Sequence, residues 1–149
     1  MVVLLEDLGQ TVKRLQHRHH RTVDARLVPL GITLVQWDAL RAISRHPNAS
    51  SHRLAQLTFQ TDQSFGSLAG RLVARGLIDR VTGPGRALRH RLTPAGEALL
   101  SKGRTVVNEV LSESFSPLSP MELETLYDLL TRLLPEMKAE NLSGTLHEG

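Results

Sequence analysis

The sequence predicts a mostly α fold with one small β-hairpin, and three observations carry that prediction. Six segments place apolar residues at steps of three and four, the repeat of a helix with one buried face. Five of the six open on a Ser or Thr placed to cap the first turn. One stretch departs from the pattern: residues 80–96, RVTGPGRALRHRLTPAG, alternate around a Gly-Pro-Gly and then give way to a new helix start.

In chain order, Leu4, Leu5, Leu8, Val12, Leu15, Val23 and Leu27 mark an amphipathic helix from about 3 to 28, ended by Pro29-Leu30-Gly31. Thr33 caps the second helix, and Gln36, three residues on, completes a capping box. Its core face is Trp37, Leu40 and Ile43, and His46-Pro47-Asn48 closes it. A short third helix, capped by Ser50 or Ser51, turns Leu54, Ala55 and Leu57 inward. After a break at Thr58–Gln60, the fourth runs from about Asp62 to Arg75 behind the cap Thr61. Its buried stripe is Phe65, Leu68, Ala69, Leu72 and Val73, and Gly76 stops it.

Leu77–Val81 and Leu88–Leu92 form the two strands, joined by a turn at Thr82-Gly83-Pro84-Gly85. A tight turn needs positive φ, which glycine supplies, and proline presets its own φ. Thr93 caps a fifth helix that runs to about Phe115, with Pro94 at the first position, where a missing N–H costs nothing. Ser119-Pro120-Met121-Glu122 combines a capping box with the same proline placement. The sixth helix shows Leu123, Leu126, Tyr127, Leu130, Leu133 and Leu134 on one face and ends near Pro135 to Lys138, followed by a frayed tail.

The 149 residues suit one domain, 1–149, with a core built mainly from Leu, Val and Ala, since aromatics are only 3%. No apolar run reaches the ~18 residues of a membrane span. The opening MVVLLEDLGQ has no basic leader and does not read as a signal peptide. The absence of cysteine excludes disulfides and thiolate metal sites and is compatible with a cytoplasmic protein. The long terminal helices carry more apolar surface than a small central unit can cover, and two-fold dimerisation would bury it.

Charge is unevenly placed. Residues 60–93 hold six Arg against Asp62 and Asp79, a net +4, and residues 1–59 are also +4. Residues 94–149 hold four Lys/Arg against nine Asp/Glu, a net −5. A concentrated basic segment is the footprint of a polyanion binder, although a merely solvated basic face has the same composition.

With its apolar stripe buried, the fourth helix exposes Gln63, Ser64, Ser67, Gly70, Arg71 and Ala74. Gln and Ser exchange hydrogen bonds with base edges and phosphates, and Arg grips guanine or phosphate. Gly66 and Gly70 each cost roughly 1 kcal/mol against Ala inside a helix, a cost that close approach to a partner would explain. A short helix, a tight turn and a slim polar helix make a helix-turn-helix, whose second helix enters the major groove. An ordinary helical hairpin is the alternative.

The strings LAQLT at 54–58, SLAGRLVARGLIDR at 67–80 and RALRHRLTPAGEALL at 86–100 resemble the winged helix-turn-helix of the multiple-antibiotic-resistance regulator (MarR) family. With the long first helix and the paired C-terminal helices, the resemblance covers about residues 4–137. Its most specific piece is LVARGLIDR, a turn, an Arg and then RLTPAGEALL; related winged-helix families share the middle but not both flanks. The resemblance implies a DNA-binding lobe at 33–93 and dimerisation helices at 1–30 and 94–138. It implies a homodimeric transcriptional regulator, a repressor released by a small-molecule effector, which binds a near-palindromic double-stranded DNA operator without a cofactor.

Carried over by position, Gln63, Ser64, Ser67 and Arg71 face the major groove, and Arg53 on the preceding helix meets the backbone. Arg86, seven residues before Thr93, stands where the family carries its wing-tip arginine. A narrow minor groove attracts an inserted Arg through its enhanced negative potential. The family braces this arginine with an Asp two residues earlier; here that residue is Pro84, and the wing is shorter than usual. Arg89 and Arg91 alternate with His90, which sets both arginines on one side of the strand for phosphate contacts that fix register.

Family members often bind small aromatic acids or other lipophilic compounds between the first two helices and the DNA-binding lobe. By that likeness His20, Arg21, Trp37 and Arg41 line an effector pocket; alternatively Trp37 is core and the polar residues are solvated. In QHRHHR at 16–21, His17 and His20 are i, i+3 neighbours, with Asp24 as a third ligand. Without cysteine or a His-x-x-x-His pair, no metal site is expected. No G-x-S-x-G elbow, H-E-x-x-H helix or phosphate loop appears, so no enzyme is expected. A helical protein-interaction module using the basic hairpin on an acidic partner, and a ligand-binding sensor without DNA activity, remain the alternative functions.

Overall fold

The computed structural model describes residues 1–83, 85 and 88–137 and is mostly helical with one antiparallel hairpin. Its elements are α1 (Leu5–Leu27), α2 (Leu34–Arg45), α3 (Ser51–Leu57), α4 (Asp62–Ala74), β1 (Ile78–Thr82), β2 (Leu88–Leu92), α5 (Pro94–Phe115) and α6 (Pro120–Leu133). A 3-10 turn at Val28–Leu30 closes α1, with Gly31 left-handed at φ 71°. The chain divides into two compact units, Met1–Val110 and Leu111–Gly149.

The caps form where hydroxyls were placed to make them. Thr33 Oγ1 accepts the Gln36 N–H at 3.1 Å, and Gln36 Oε1 accepts the Thr33 N–H at 3.1 Å. Asp24 of α1 accepts the Leu34 N–H at 2.8 Å, so a further donor at the start of α2 is satisfied. Of the two serines before α3, Ser50 is the cap and accepts the Arg53 N–H. Thr61 caps α4 through the Ser64 N–H, and Ser119 with Glu122 makes the second capping box.

In the first unit Leu27, Leu40, Ile43, Leu54, Phe65, Leu72 and Ile78 are all but inaccessible, which sets the core among α1 to α4 and the hairpin. Trp37 extends it to α5. Its indole is buried, its N–H donates to the Leu100 carbonyl at 3.1 Å, and the ring occupies the space where Gly103 lacks a Cβ. In the second unit α6 leaves Met121, Leu123, Tyr127, Leu130 and Leu133 exposed, and Leu134 just past its end is exposed too.

Two boundaries and two burials differ from expectation. The first strand starts at Ile78 because the Leu77 N–H closes α4 on the Leu72 carbonyl at 3.0 Å. α6 stops at Leu133, since Leu134 precedes Pro135 and is forced out of the helical region, at φ −124° and ψ 72°. Leu57 and Val73, at the rims of their helices, are only half-buried. The expected frayed tail from residue 138 and the turn residue Pro84 lie outside the described residues.

Gly96 binds the hairpin to α5. Its N–H donates to Thr93 Oγ1 at 3.1 Å, and a Cβ there would strike the Leu77 carbonyl, which is backbone and has no rotamer to escape into. Gly96→Ala is therefore expected to cost about 1–3 kcal/mol, the range for overpacking a filled site. Urea denaturation measures it, and an unchanged midpoint would contradict the close contact.

Candidate nucleic-acid interface

The outer face of α4 is built by subtraction. Phe65, Leu68, Ala69 and Leu72 turn inward, and Gln63, Ser64, Ser67 and Arg71 are left exposed. Gln63, Ser67 and Arg71 follow at four-residue steps, so they share one side, with Ser64 on its flank. A Cβ on Gly66 would meet nothing within 4 Å, and one on Gly70 would meet only Arg80 Nη2 at an ordinary 3.8 Å. Packing within the chain therefore requires neither glycine. Space left open on this face is available to an outside partner.

The hairpin pairs Ile78 with Leu92, Asp79 with Arg91, Arg80 with His90, Val81 with Arg89 and Thr82 with Leu88. The pleat sends His90 inward, where its ring meets Phe65 of α4 edge-on, 5.8 Å between centroids at 87°. Arg89 and Arg91 take the opposite face, Arg91 exposed and Arg89 half-buried. Arg91 lies 3.9 Å from Asp79, but both side chains are more than half exposed, so the pair is weak. Arg89 donates to the neighbouring Leu88 carbonyl at 3.2 Å. Arg86 lies outside the described residues.

His90 is the buried polar side chain of this region, 4% exposed, and its Nδ1 has no hydrogen-bond partner among the described residues. Burial, and then the Arg80 guanidinium, holds it below the ordinary histidine value of 6.5. It is therefore neutral where it packs against Phe65.

Arg53 is exposed on α3. Beside it, His52 Nδ1 lies 2.8 Å from Asp62 Oδ1, which joins the first turns of α3 and α4. Sequence reasoning passed over this pair and over Arg80. The alternation of β1 sets Arg80 opposite His90, on the side of Gly70, and that position could have been read from the register.

The candidate effector residues divide. Trp37 is core, with its only donor engaged. His20 and Arg41 both act on Asp38: burial raises its carboxyl, against the downward pull of Arg41 and then His20. Arg21 is exposed. A separate cleft of about 330 Å³ at the base of the hairpin is bordered by Ile43, Pro47, His90 and Leu92, none of them among those four. Among the described residues no group of three His, Asp or Glu side chains is placed to hold a metal, and no helix is long and apolar enough to cross a membrane.

Comparison with known proteins places this geometry in company. The model of the MarR family matches residues 30–87. A probable transcriptional regulator of Pseudomonas aeruginosa is 33% identical, with a TM-score of 0.73 over 87% of this chain and 99% of that one. A MarR family protein of Mycobacterium tuberculosis, solved in complex with DNA, is 28% identical, with a TM-score of 0.72 over 85% of this chain and 96% of that one. The same protein has been solved with p-aminosalicylic acid. A mutant MarR of E. coli, complexed with operator DNA, is 25% identical, with a TM-score of 0.76 over 87% and 94% of the two chains.

The depressed His90 has a pH signature. The unfolded chain binds its proton more readily than the folded one, so the stability due to neutral His90 is complete above about pH 6.5 and is lost as pH falls from there through the lowered folded value. His90→Phe keeps a ring against Phe65 and removes the titration. Between pH 7.5 and 5.5 the wild type should lose more stability to urea than this variant; equal losses would contradict a buried neutral histidine.

Proposed function

The chain belongs to the MarR family, and we propose that it is a homodimeric repressor that grips a near-palindromic duplex and is released by a small-molecule effector. As a member of that family it is a DNA-binding transcriptional regulator. The observation that carries the proposal is the union of a slim polar helix face and a basic strand on one body, joined by the contact of Phe65 with His90.

In this reading Gln63, Ser64 and Ser67 meet base edges in the major groove, and Arg71 meets guanine or a phosphate. Arg53, Arg89 and Arg91 meet phosphates, which fix register and supply the salt-dependent part of the affinity through counterion release. Arg86 enters the adjacent minor groove. The relatives solved with DNA support binding to a duplex.

Dimerisation is supported by uncovered apolar surface in each unit. Leu4, Leu5, Leu8 and Val12 at the start of α1 are exposed, as are Tyr127, Leu130 and Leu133 on α6. A second copy covering both faces would hide surface that a monomer leaves in water. Two-fold symmetry then sets the two α4 helices about 34 Å apart, in successive major grooves.

Binding of a small-molecule effector is supported by the relative solved with p-aminosalicylic acid. A small acid held near His20, Arg21, Trp37 and Arg41 would meet the Arg41 cation beside Asp38. The reading involves no catalysis, and it places the protein in the cytoplasm with the DNA it binds.

Selection from a random duplex pool tests the proposal. The expected outcome is a site with two half-sites one helical turn apart; failure to select any duplex would overturn it. Changes at Gln63 or Ser67 should alter base preference, whereas Arg86→Ala or Arg91→Ala should weaken all sequences alike. Gly66→Ala separates fold from function: stability should rise by roughly 1 kcal/mol, while duplex affinity falls. Equal affinity in that variant would show that nothing approaches Gly66 closely.

A further inference from the structure

Among the described residues Phe59 stands alone as a non-glycine with positive φ, at 56°. Gly31, Gly76 and Gly85 hold the other left-handed positions. The comparison with Gly76 is close, because the same motif closes both helices of the helix-turn-helix. At the end of α4 the Gly76 N–H donates to the Val73 carbonyl at 2.9 Å, and the Leu77 N–H to the Leu72 carbonyl at 3.0 Å. At the end of α3 the Phe59 N–H donates to the Gln56 carbonyl at 3.2 Å, and the Gln60 N–H to the Ala55 carbonyl at 2.9 Å. One motif carries the expected glycine. The other carries a phenylalanine in a conformation that glycine adopts without strain.

Among the described residues no packing of the Phe59 side chain offsets that strain. The Phe59 side chain is 98% exposed, so the largest apolar group in the turn lies in water. Its position suggests what covers it. Phe59 lies two residues before Thr61, the cap of α4, and Gln63, Ser64 and Ser67 follow within two turns. The second helix of such a unit enters the major groove by its N-terminal end, so a side chain exposed in the turn just ahead stands at the lip of the groove. The net +4 of residues 60–93 draws a polyanion toward the segment that follows Phe59, which an apolar partner would not exploit. An uncharged ring without a donor has one specific partner on the major-groove edge of the bases, the C5-methyl of thymine.

We propose that Phe59 is a specificity residue that reads thymine through its C5-methyl at the lip of the major groove. The inference rests on the duplex-binding reading above. It adds an apolar readout to the polar one of α4, and it accounts for a phenylalanine kept where the backbone favours glycine.

The test uses the full chain and the duplex that the wild type selects from a random pool. Each thymine of the half-site is replaced in turn by deoxyuridine, which lacks only the methyl. Affinity is measured for the wild type, Phe59→Gly and Phe59→Asn, two residues that tolerate the left-handed conformation. At one thymine the wild type should lose about fourfold per half-site, the equivalent of one buried methyl group. Both variants should bind the parent duplex more weakly and be indifferent to that replacement. Their salt dependence should match the wild type, since no phosphate contact is lost, and Phe59→Gly should melt no lower than the wild type. A half-site without thymine, a deoxyuridine effect that persists in both variants, or a reduced salt slope would overturn the inference while leaving duplex binding intact. A wild type that selects no duplex would overturn the duplex-binding reading and the inference with it.

Discussion

The Leu77 carbonyl accepts the Thr93 N–H at 3.1 Å, and the Thr93 hydroxyl donates to the Gly76 carbonyl at 2.6 Å. Through these two backbone groups the end of α4, the base of both strands and the start of α5 meet at one point. Gly76 makes the arrangement possible, because its φ of 70° turns the chain from helix to strand within one residue. Gly96 keeps the point tight, because any side chain there would displace the Leu77 carbonyl. The angle between α4 and the hairpin is set here, and with it the surface that a duplex would meet.

Above that junction the two elements are held by an apolar contact and not by charge. Phe65 packs edge-on against His90, and burial beside Arg80 keeps that imidazole neutral. A protonated histidine in the same place would add a cation next to Arg80 in a site with little water. On the hairpin, the Arg91–Asp79 pair is open to solvent and worth little. A basic surface held in place by apolar packing keeps its positive field for an external anion. Strong internal ion pairs would have neutralised it.

Much of this architecture is legible in the sequence, for reasons that differ by element. Thr33, Thr61, Thr93 and Ser119 announce helix starts because a hydroxyl bonded to a nearby backbone N–H is a local event, independent of the rest of the fold. The polar face of α4 is legible because helical period alone separates Phe65 and Leu68 from Gln63 and Ser67. Long-range contacts are less accessible. That Trp37 needs Gly103, or that Gly96 needs to be bare against Leu77, depends on elements brought together only by folding. The left-handed Phe59 was hidden for the opposite reason: local rules assign that position to glycine, and the residue present contradicts them. His52 and Asp62 carry no periodic signal, and their contact exists because the first turns of α3 and α4 come together on folding.

The central claim is that α4 and the hairpin act together on one duplex in each half of a symmetric dimer. Hydroxyl-radical footprinting on a selected duplex examines this most directly, since it reports backbone protection position by position. The account predicts two protected clusters whose centres lie about one helical turn apart, each flanked on its outer side by protection across the adjacent minor groove. A single cluster, or paired clusters without the flanking minor-groove protection, would contradict it.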